Sequence, residues 1–286
     1  MSDTVHVIGA SGRSGAALAR ALLARGGTVV PVVRDPARLA AVLPPQPRLA
    51  PPRVAGLADA GALAAALADA TAVVSTAHAR FTAQVLAAAP VGARLVLLGS
   101  TRRFTRWPDA HGSGVIAGEA ALLGSGRAGV MLHPTMIYGA QGEDNVQRLA
   151  ALLRRLPVVP LPGGGRALVQ PIHQDDVTTA ILAALGVAWR APATLVIAGP
   201  EPLPYADFVR AVARAAGLRA PRIVPIPAAI LQALAPVTAW LPFLPRIDTA
   251  EIRRLQEDKA FDIGPMSVTL GLRPMPLARG LARTFR

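Results

Sequence analysis

Val5-His6-Val7-Ile8-Gly9-Ala10-Ser11-Gly12-Arg13-Ser14-Gly15 stands near the start of this 286-residue chain, and its reading decides the fold. A short β-branched run leads into a loop with glycine at every third position. An alanine-rich helical pattern, Ser14–Arg25, follows directly. Each glycine has a physical task in such a turn. Gly9 allows a tight exit from the strand, Gly12 lets the backbone approach a pyrophosphate, and Gly15 lets the helix pack closely on the sheet. The helix N-terminus then offers unpaired N–H groups and a positive dipole end to phosphate. Strand before and helix after are the context that turns a glycine triplet into a dinucleotide-binding signature. Gly9, Ser11, Gly12, Arg13, Ser14 and Gly15 are the expected phosphate cradle.

Strand and helix patterns alternate outward from this loop. Strands are expected at Thr28–Val33, Thr71–Ser75, Arg94–Leu98 and Gly129–Leu132, with a weak one near Arg53–Ala55. Helices are expected at Pro36–Val42, Ala60–Ala68, Thr82–Ala89 and Gly114–Leu123. This alternation means βαβ units, right-handed crossovers and a parallel sheet covered on both faces. The fold class is α/β, a doubly wound parallel sheet with a small C-terminal substrate lobe. Residues 1–286 read as one extended unit. Residues 1–140 are mainly the dinucleotide-binding core, and 141–286 complete the sheet and form the lobe.

The second half is less regular. A helix is expected at Asp144–Arg155, a glycine turn at Leu161–Gly165 and a short strand at Val169–Ile172. Asp175 and Asp176 are expected to cap a helix reaching Leu185. A last sheet strand, Leu195–Ala198, and a helix, Tyr205–Ala216, come next. Ile223–Pro245 is very apolar but carries five prolines. These break the regular apolar run, about 20 residues long, that a membrane span requires. The stretch reads as a buried or pocket-lining helix pair, or as a surface dipping into a membrane or holding a greasy substrate.

Composition excludes several classes. The chain is 52% hydrophobic and only 16% charged. That suits a packed core and not disorder. With no cysteine there is no disulfide and no thiolate-held metal. The five histidines lack metal-ligand spacing, so no metal site is expected. The net charge of +13 invites a nucleic-acid partner, but the arginines are scattered and aromatics are only 4%. Too few rings remain for a base-stacking platform. Nucleic-acid binding is therefore not expected, and attraction to anionic membrane surfaces ranks above it. The first strand begins so early that no signal peptide is expected, which places the protein in the cytoplasm, either free or at a membrane surface.

The end of the second strand, Val33-Arg34-Asp35-Pro36, bears on the cofactor. An acid there binds the adenosine ribose of NAD, whereas an arginine accepts the 2′-phosphate of NADP. Asp35 has a competing role as a helix N-cap before proline. Arg34, helped by Arg13, points to NADP(H), with NAD(H) as the alternative.

These motifs resemble the short-chain dehydrogenase/reductase superfamily, in its extended and atypical branch. That branch includes NAD-dependent epimerases and the NADPH-binding accessory subunit of respiratory complex I. The resemblance rests on Gly9-x-x-Gly12-x-x-Gly15, Leu97-Leu98-Gly99-Ser100-Thr101 and Pro134-Thr135-Met136-Ile137-Tyr138-Gly139. It continues through Pro162–Gly165, Gln170–Val177 and Ala198–Glu201. It implies that Ser75, Thr76 and Ala77 lie beside the cofactor ribose and nicotinamide. It implies also that Pro134, Met136 and Ile137 border the nicotinamide, that Thr101 or Ser100 supplies the active-site hydroxyl, and that Asn145 falls near a substrate-touching helix.

The departures are as telling. The chain has one lysine, Lys259, and two tyrosines, Tyr138 and Tyr205, so no Tyr-x-x-x-Lys pair exists. Aligned on Gly118-Glu119 and His133-Pro134, that pair falls on His111 and Val115. Valine cannot donate a hydrogen bond, but histidine can transfer protons near neutral pH. His111 with nearby Thr101 is the candidate acid/base, and His78 could line the same cleft. His133 stands where the family commonly has arginine. His173 is expected to be structural, and Lys259 to be a solvated helix residue. The acid usual after the third strand's glycine is absent: Leu57 follows Gly56, with Asp59 close by.

Two function classes follow. One is an NADP(H)-binding oxidoreductase or epimerase with a divergent proton donor and a small or hydrophobic organic substrate. The other is a non-catalytic NADP(H)-binding protein, structural or redox-sensing, associated with a respiratory or membrane complex.

Overall fold

The computed structural model describes residues 4–107, 109–139, 145–232 and 249–285. Six strands in chain order are β1 (Thr4–Ile8), β2 (Thr28–Val33), β3 (Arg53–Val54), β4 (Ala72–Ser75), β5 (Arg94–Leu98) and β6 (Gly129–Pro134). With Pro192–Ile197 they form a seven-stranded sheet, ordered Pro192–Ile197, β6, β5, β4, β1, β2, β3. Every pairing in it is parallel. The chain order reverses between β1 and β4, which opens a ligand crevice at the carboxyl ends of those strands.

Alternating side chains build two cores. Val5, Val7, Val74, Val96 and Leu98 face α1 (Arg13–Ala24) and the helix Gln174–Gly186. Ile8, Val73, Leu95 and Leu97 face the opposite layer, made of α3 (Ala60–Leu67), α4 (Thr82–Ala88) and α5 (Ala110–Gly124). This two-sided burial is why the strands read as continuous apolar runs. The helix α2 (Pro36–Val42) begins as expected, with Asp35 Oδ1 accepting from Ala37 N at 2.9 Å. Pro36 takes the first helical position, where its missing N–H costs nothing.

Several elements depart from the sequence-based expectation. The helix α5 starts at Ala110 instead of Gly114, because Asp109 Oδ1 accepts from Gly112 N at 2.6 Å. An aspartate in that position caps the helix four residues early. The expected strand Val169–Ile172 is two strands. Leu168–Val169 pairs antiparallel with Leu203–Pro204, and Ile172–His173 pairs parallel with Ile137–Tyr138. Pro171, which lacks an N–H, lies between them. The helix Gln174–Gly186 is capped by the His173 side chain, not by Asp175 or Asp176. The start of the apolar stretch is a strand, Arg222–Ile226, paired in parallel with Val158–Pro162, and not a helix. Its residues 233–245 lie outside the described residues.

The lobe packs Val146, Phe208, Val212 and Leu281, from the helices Asn145–Leu153, Tyr205–Ala215 and Leu277–Thr284, around Tyr138 of the strand Ile137–Tyr138. Among the described residues, no helix is long and apolar enough to cross a membrane.

Candidate functional site

The glycine loop is built around missing side chains. A Cβ on Gly15 would lie 2.2 Å from the Gly9 carbonyl oxygen, and one on Gly9 would lie 2.8 Å from Thr76 Oγ1. Gly9 has φ +80°. That conformation is open to glycine at little cost. Thr76 at the end of β4 ties the loop down: its hydroxyl donates to Ile8 O at 3.0 Å and Gly9 O at 3.3 Å. Gly12 is the N-cap of α1, with no side-chain hydrogen bond and no acid in the first turn. The first helical N–H groups and the dipole's positive end therefore face the crevice, as an anion site requires.

Two cavities flank this loop and share Gly12, Thr76, Ala77 and His78. The first, about 450 Å³, collects Arg13, Ser14, Pro134 and Ile137 with Ser100 and His111. The second, about 750 Å³, collects Gly9, Ser11 and Arg34 with Asp35, Arg38 and Arg80. A third cleft, about 740 Å³, adjoins the first through Ser100 and Thr135 and contains Thr101 and Met136.

The expected site residues thus divide. The loop residues, Arg34, Thr76, Ala77, Pro134 and Ile137 lie around one continuous crevice. Gly15 lies behind it against Gly9, and Ser75 is buried within β4 and lines neither cavity. Met136 and Thr101 turn to the third cleft, where Thr101 Oγ1 donates to Pro134 O at 3.2 Å. The ring beside His111 is His78, at 4.3 Å between centroids and nearly perpendicular. His78 fits against α5 because residue 114 is glycine: a Cβ there would lie 2.8 Å from its Cε1. Burial lowers the pKa of His111, and His78, Arg102 and Arg254 add to this while Asp109 opposes it. Burial, Arg80 and Arg102 lower that of His78 in turn.

Beneath Ser100 lies a buried polar group. Ser100 N donates to His133 Nδ1 at 3.2 Å. The neutral imidazole therefore carries its proton on Nε2. That nitrogen lies 2.8 Å from Glu119 Oε2, and Arg103 Nε lies 2.7 Å from the same oxygen. Burial, with Arg103, pushes the His133 pKa down to about 4. A Cβ on Gly99 would lie 2.4 Å from His133 Nδ1, so histidine and glycine are matched here.

Other candidates have structural roles. Asn145 Nδ2 donates to Ile137 O at 3.1 Å, and Asp59 caps α3 through Ala62 N at 2.9 Å. His173 is buried, and its ring meets the Tyr138 ring edge-on at 5.2 Å. Lys259 is not a solvated helix residue. It follows the helix Thr249–Arg254 in irregular chain, is half-buried, and lines the third cleft. The roles of Arg38, Arg80 and Lys259 escape motif reading. Only the spacing of Arg34 and Arg38, four apart around a helix start, hints at one of them.

Residues 9–109 match a family model described as NAD(P)H-binding. No curated protein matches the chain in sequence. Among solved structures, an NADPH-dependent quinone oxidoreductase from Escherichia coli complexed with NADPH aligns with a TM-score of 0.74 at 18% identity, over 99% of this chain and 100% of that one. A UDP-glucuronic acid 4-epimerase from Bacillus cereus, in complex with UDP-glucuronic acid and NAD, aligns at 0.74 and 16%, over 99% and 98%. A nucleoside-diphosphate-sugar epimerase from Pseudomonas aeruginosa aligns at 0.71 and 21%, over 99% and 96%. Residues 9–109 thus resemble an NAD(P)H-binding family, and the whole chain has the Rossmann-like α/β fold of these structures.

Proposed function

We propose that the protein is an NADP(H)-dependent oxidoreductase of divergent active site, acting on a small organic substrate held where the third cleft meets the cavity that contains His111. The observation that carries this reading is the uncapped N-terminus of α1 beneath a glycine cradle, with a cavity on either side. A nicotinamide cofactor seated there supplies the hydride. Arg34, Arg38 and Arg80 around the adenosine-side cavity favour a 2′-phosphate. The Asp35 carboxylate is engaged as a cap, accepting from Ala37 and Arg38 N–H. Titration of NADPH and NADH against the purified protein tests it. NADPH should bind about tenfold tighter, and Arg34→Ala should erase the preference. Equal affinity would remove the phosphorylated cofactor, and failure of both to bind would remove the function.

His111 is the proposed proton donor in place of the tyrosine. A donor must be protonated, and burial with His78 holds His111 below the ordinary histidine pKa of 6.5. Reduction of a quinone or enone by NADPH should therefore accelerate as pH falls through that lowered pKa. His111→Ala should slow it about 100-fold and flatten the profile. An unchanged rate and profile would assign the proton to solvent.

A further inference from the structure

The third cleft contains the chain's sole lysine, Lys259. Its ammonium donates to Arg254 O at 2.7 Å, and no carboxylate among the described residues lies within ion-pair distance of it. The nearby acids are engaged elsewhere. Glu257 accepts from Thr105 Oγ1 at 2.7 Å and from Arg106 N at 2.6 Å. Asp258 Oδ1 accepts from Leu168 N at 2.8 Å. Asp109 Oδ2 takes Arg102 at 3.0 Å and Arg254 at 2.8 Å. Each carboxylate fastens a wall of the cleft, so Lys259 lines the cleft as a cation with no ion-paired carboxylate among the described residues.

The same cleft is lined by aromatic rings. Phe104 and Phe261 meet at 5.5 Å between centroids, and Arg253 lies 5.2 Å over the Trp107 ring. Phe104 and Trp107 are both nearly half exposed, at 47% and 45%. A half-buried cation in a cleft that exposed rings also line favours a flat, negatively charged guest. Burial also holds the Lys259 pKa below its usual value, Glu257 opposing and Arg254 and Arg102 assisting. At a given pH a larger fraction of this amine is therefore unprotonated than in a surface lysine.

We propose that the third cleft binds a planar organic anion, a carboxylate or a phosphate ester, with Lys259 as its contacting cation. The guest would lie against Ser100 and Thr135, the residues that the cleft shares with the cavity beside the glycine loop. This names the substrate class of the reading above and rests on that reading for its link to hydride transfer.

A single lysine makes the test direct. The full-length protein is treated with pyridoxal 5′-phosphate and borohydride, and the sites of labelling are mapped by mass spectrometry. The α-amino group serves as internal control. Lys259 should label about tenfold faster with pyridoxal 5′-phosphate than with unphosphorylated pyridoxal, because the arginines that share the cleft, Arg106 and Arg253, hold the phosphate while the Lys259 amine attacks the aldehyde. Phenyl phosphate should suppress the labelling, and benzyl alcohol should not. Calorimetry should find phenyl phosphate bound by the native chain and by Lys259→Arg, and lost in Lys259→Met. Equal rates with the two aldehydes, or labelling confined to the α-amino group, overturns the proposal even if Lys259→Met fails to fold. Loss of NADPH binding by the native chain would instead overturn the cofactor reading, and leaves the labelling result standing.

Discussion

Two glycine turns in this chain look alike and serve opposite ends. Gly9, Gly12 and Gly15 follow β1, and Gly163, Gly164 and Gly165 follow the lobe strand Val158–Pro162. In the first turn only Gly9 has positive φ, whereas in the second all three do, at 58°, 72° and 69°. The second turn therefore uses glycine for backbone shape. It packs inward, with a Cβ on Gly165 falling 2.6 Å from Leu161 Cδ1 and 3.0 Å from Ala206 N. The first uses glycine mainly for absence of bulk, and it ends on a helix whose first N–H groups have no side-chain cap. Capacity for an anion comes from a helix start without a side-chain cap, not from glycine content.

Supplying the missing cap breaks the comparison most sharply. Gly12→Asp places a carboxylate where phosphate would sit, at an extended backbone position that suits an N-cap. NADPH affinity should fall on the order of 100-fold through like-charge repulsion and competition for the N–H groups. Urea unfolding should meanwhile show stability unchanged or raised by about 0.5–1 kcal/mol. Retained binding would locate the phosphates elsewhere. The converse is Gly165→Ala. Its left-handed backbone and close contacts predict a loss of about 1–2 kcal/mol in the same unfolding experiment. NADPH affinity should remain within about twofold. A marked loss of affinity there would join the second turn to the site.

The first turn is legible in sequence because everything that defines it is local: three glycines, a β-branched strand before and an alanine-rich helix after. The same holds for Asp35, whose capping bonds span two and three residues. The cleft around Lys259 is not legible. Its backbone N–H reaches Leu168 O, and neighbouring Asp258 reaches Leu168 N, far back along the chain and with no periodic signal. Arg222–Ile226 defeats sequence reading for a related reason. A short apolar run does not by itself distinguish strand from buried helix. Its pairing partner, Val158–Pro162, lies far back in sequence. For His111 the sequence suggests a cleft shared with His78 but not the contact between their rings, since only the glycine at 114 lets His78 lie against the helix.

The wall over Lys259 has a kinetic consequence. Residues 257–261 add no strand to the main sheet. They are held to Thr105, Arg106 and Gln170 by one hydrogen bond each and to Leu168 by two, most of them through side chains. Segments fastened this way open at a small fraction of the free energy needed to unfold core strands. Exchange of a guest in the cleft is thereby uncoupled from global stability. A substitution at Glu257 or Asp258 would change how long a molecule stays, while the melting temperature of the sheet hardly moved.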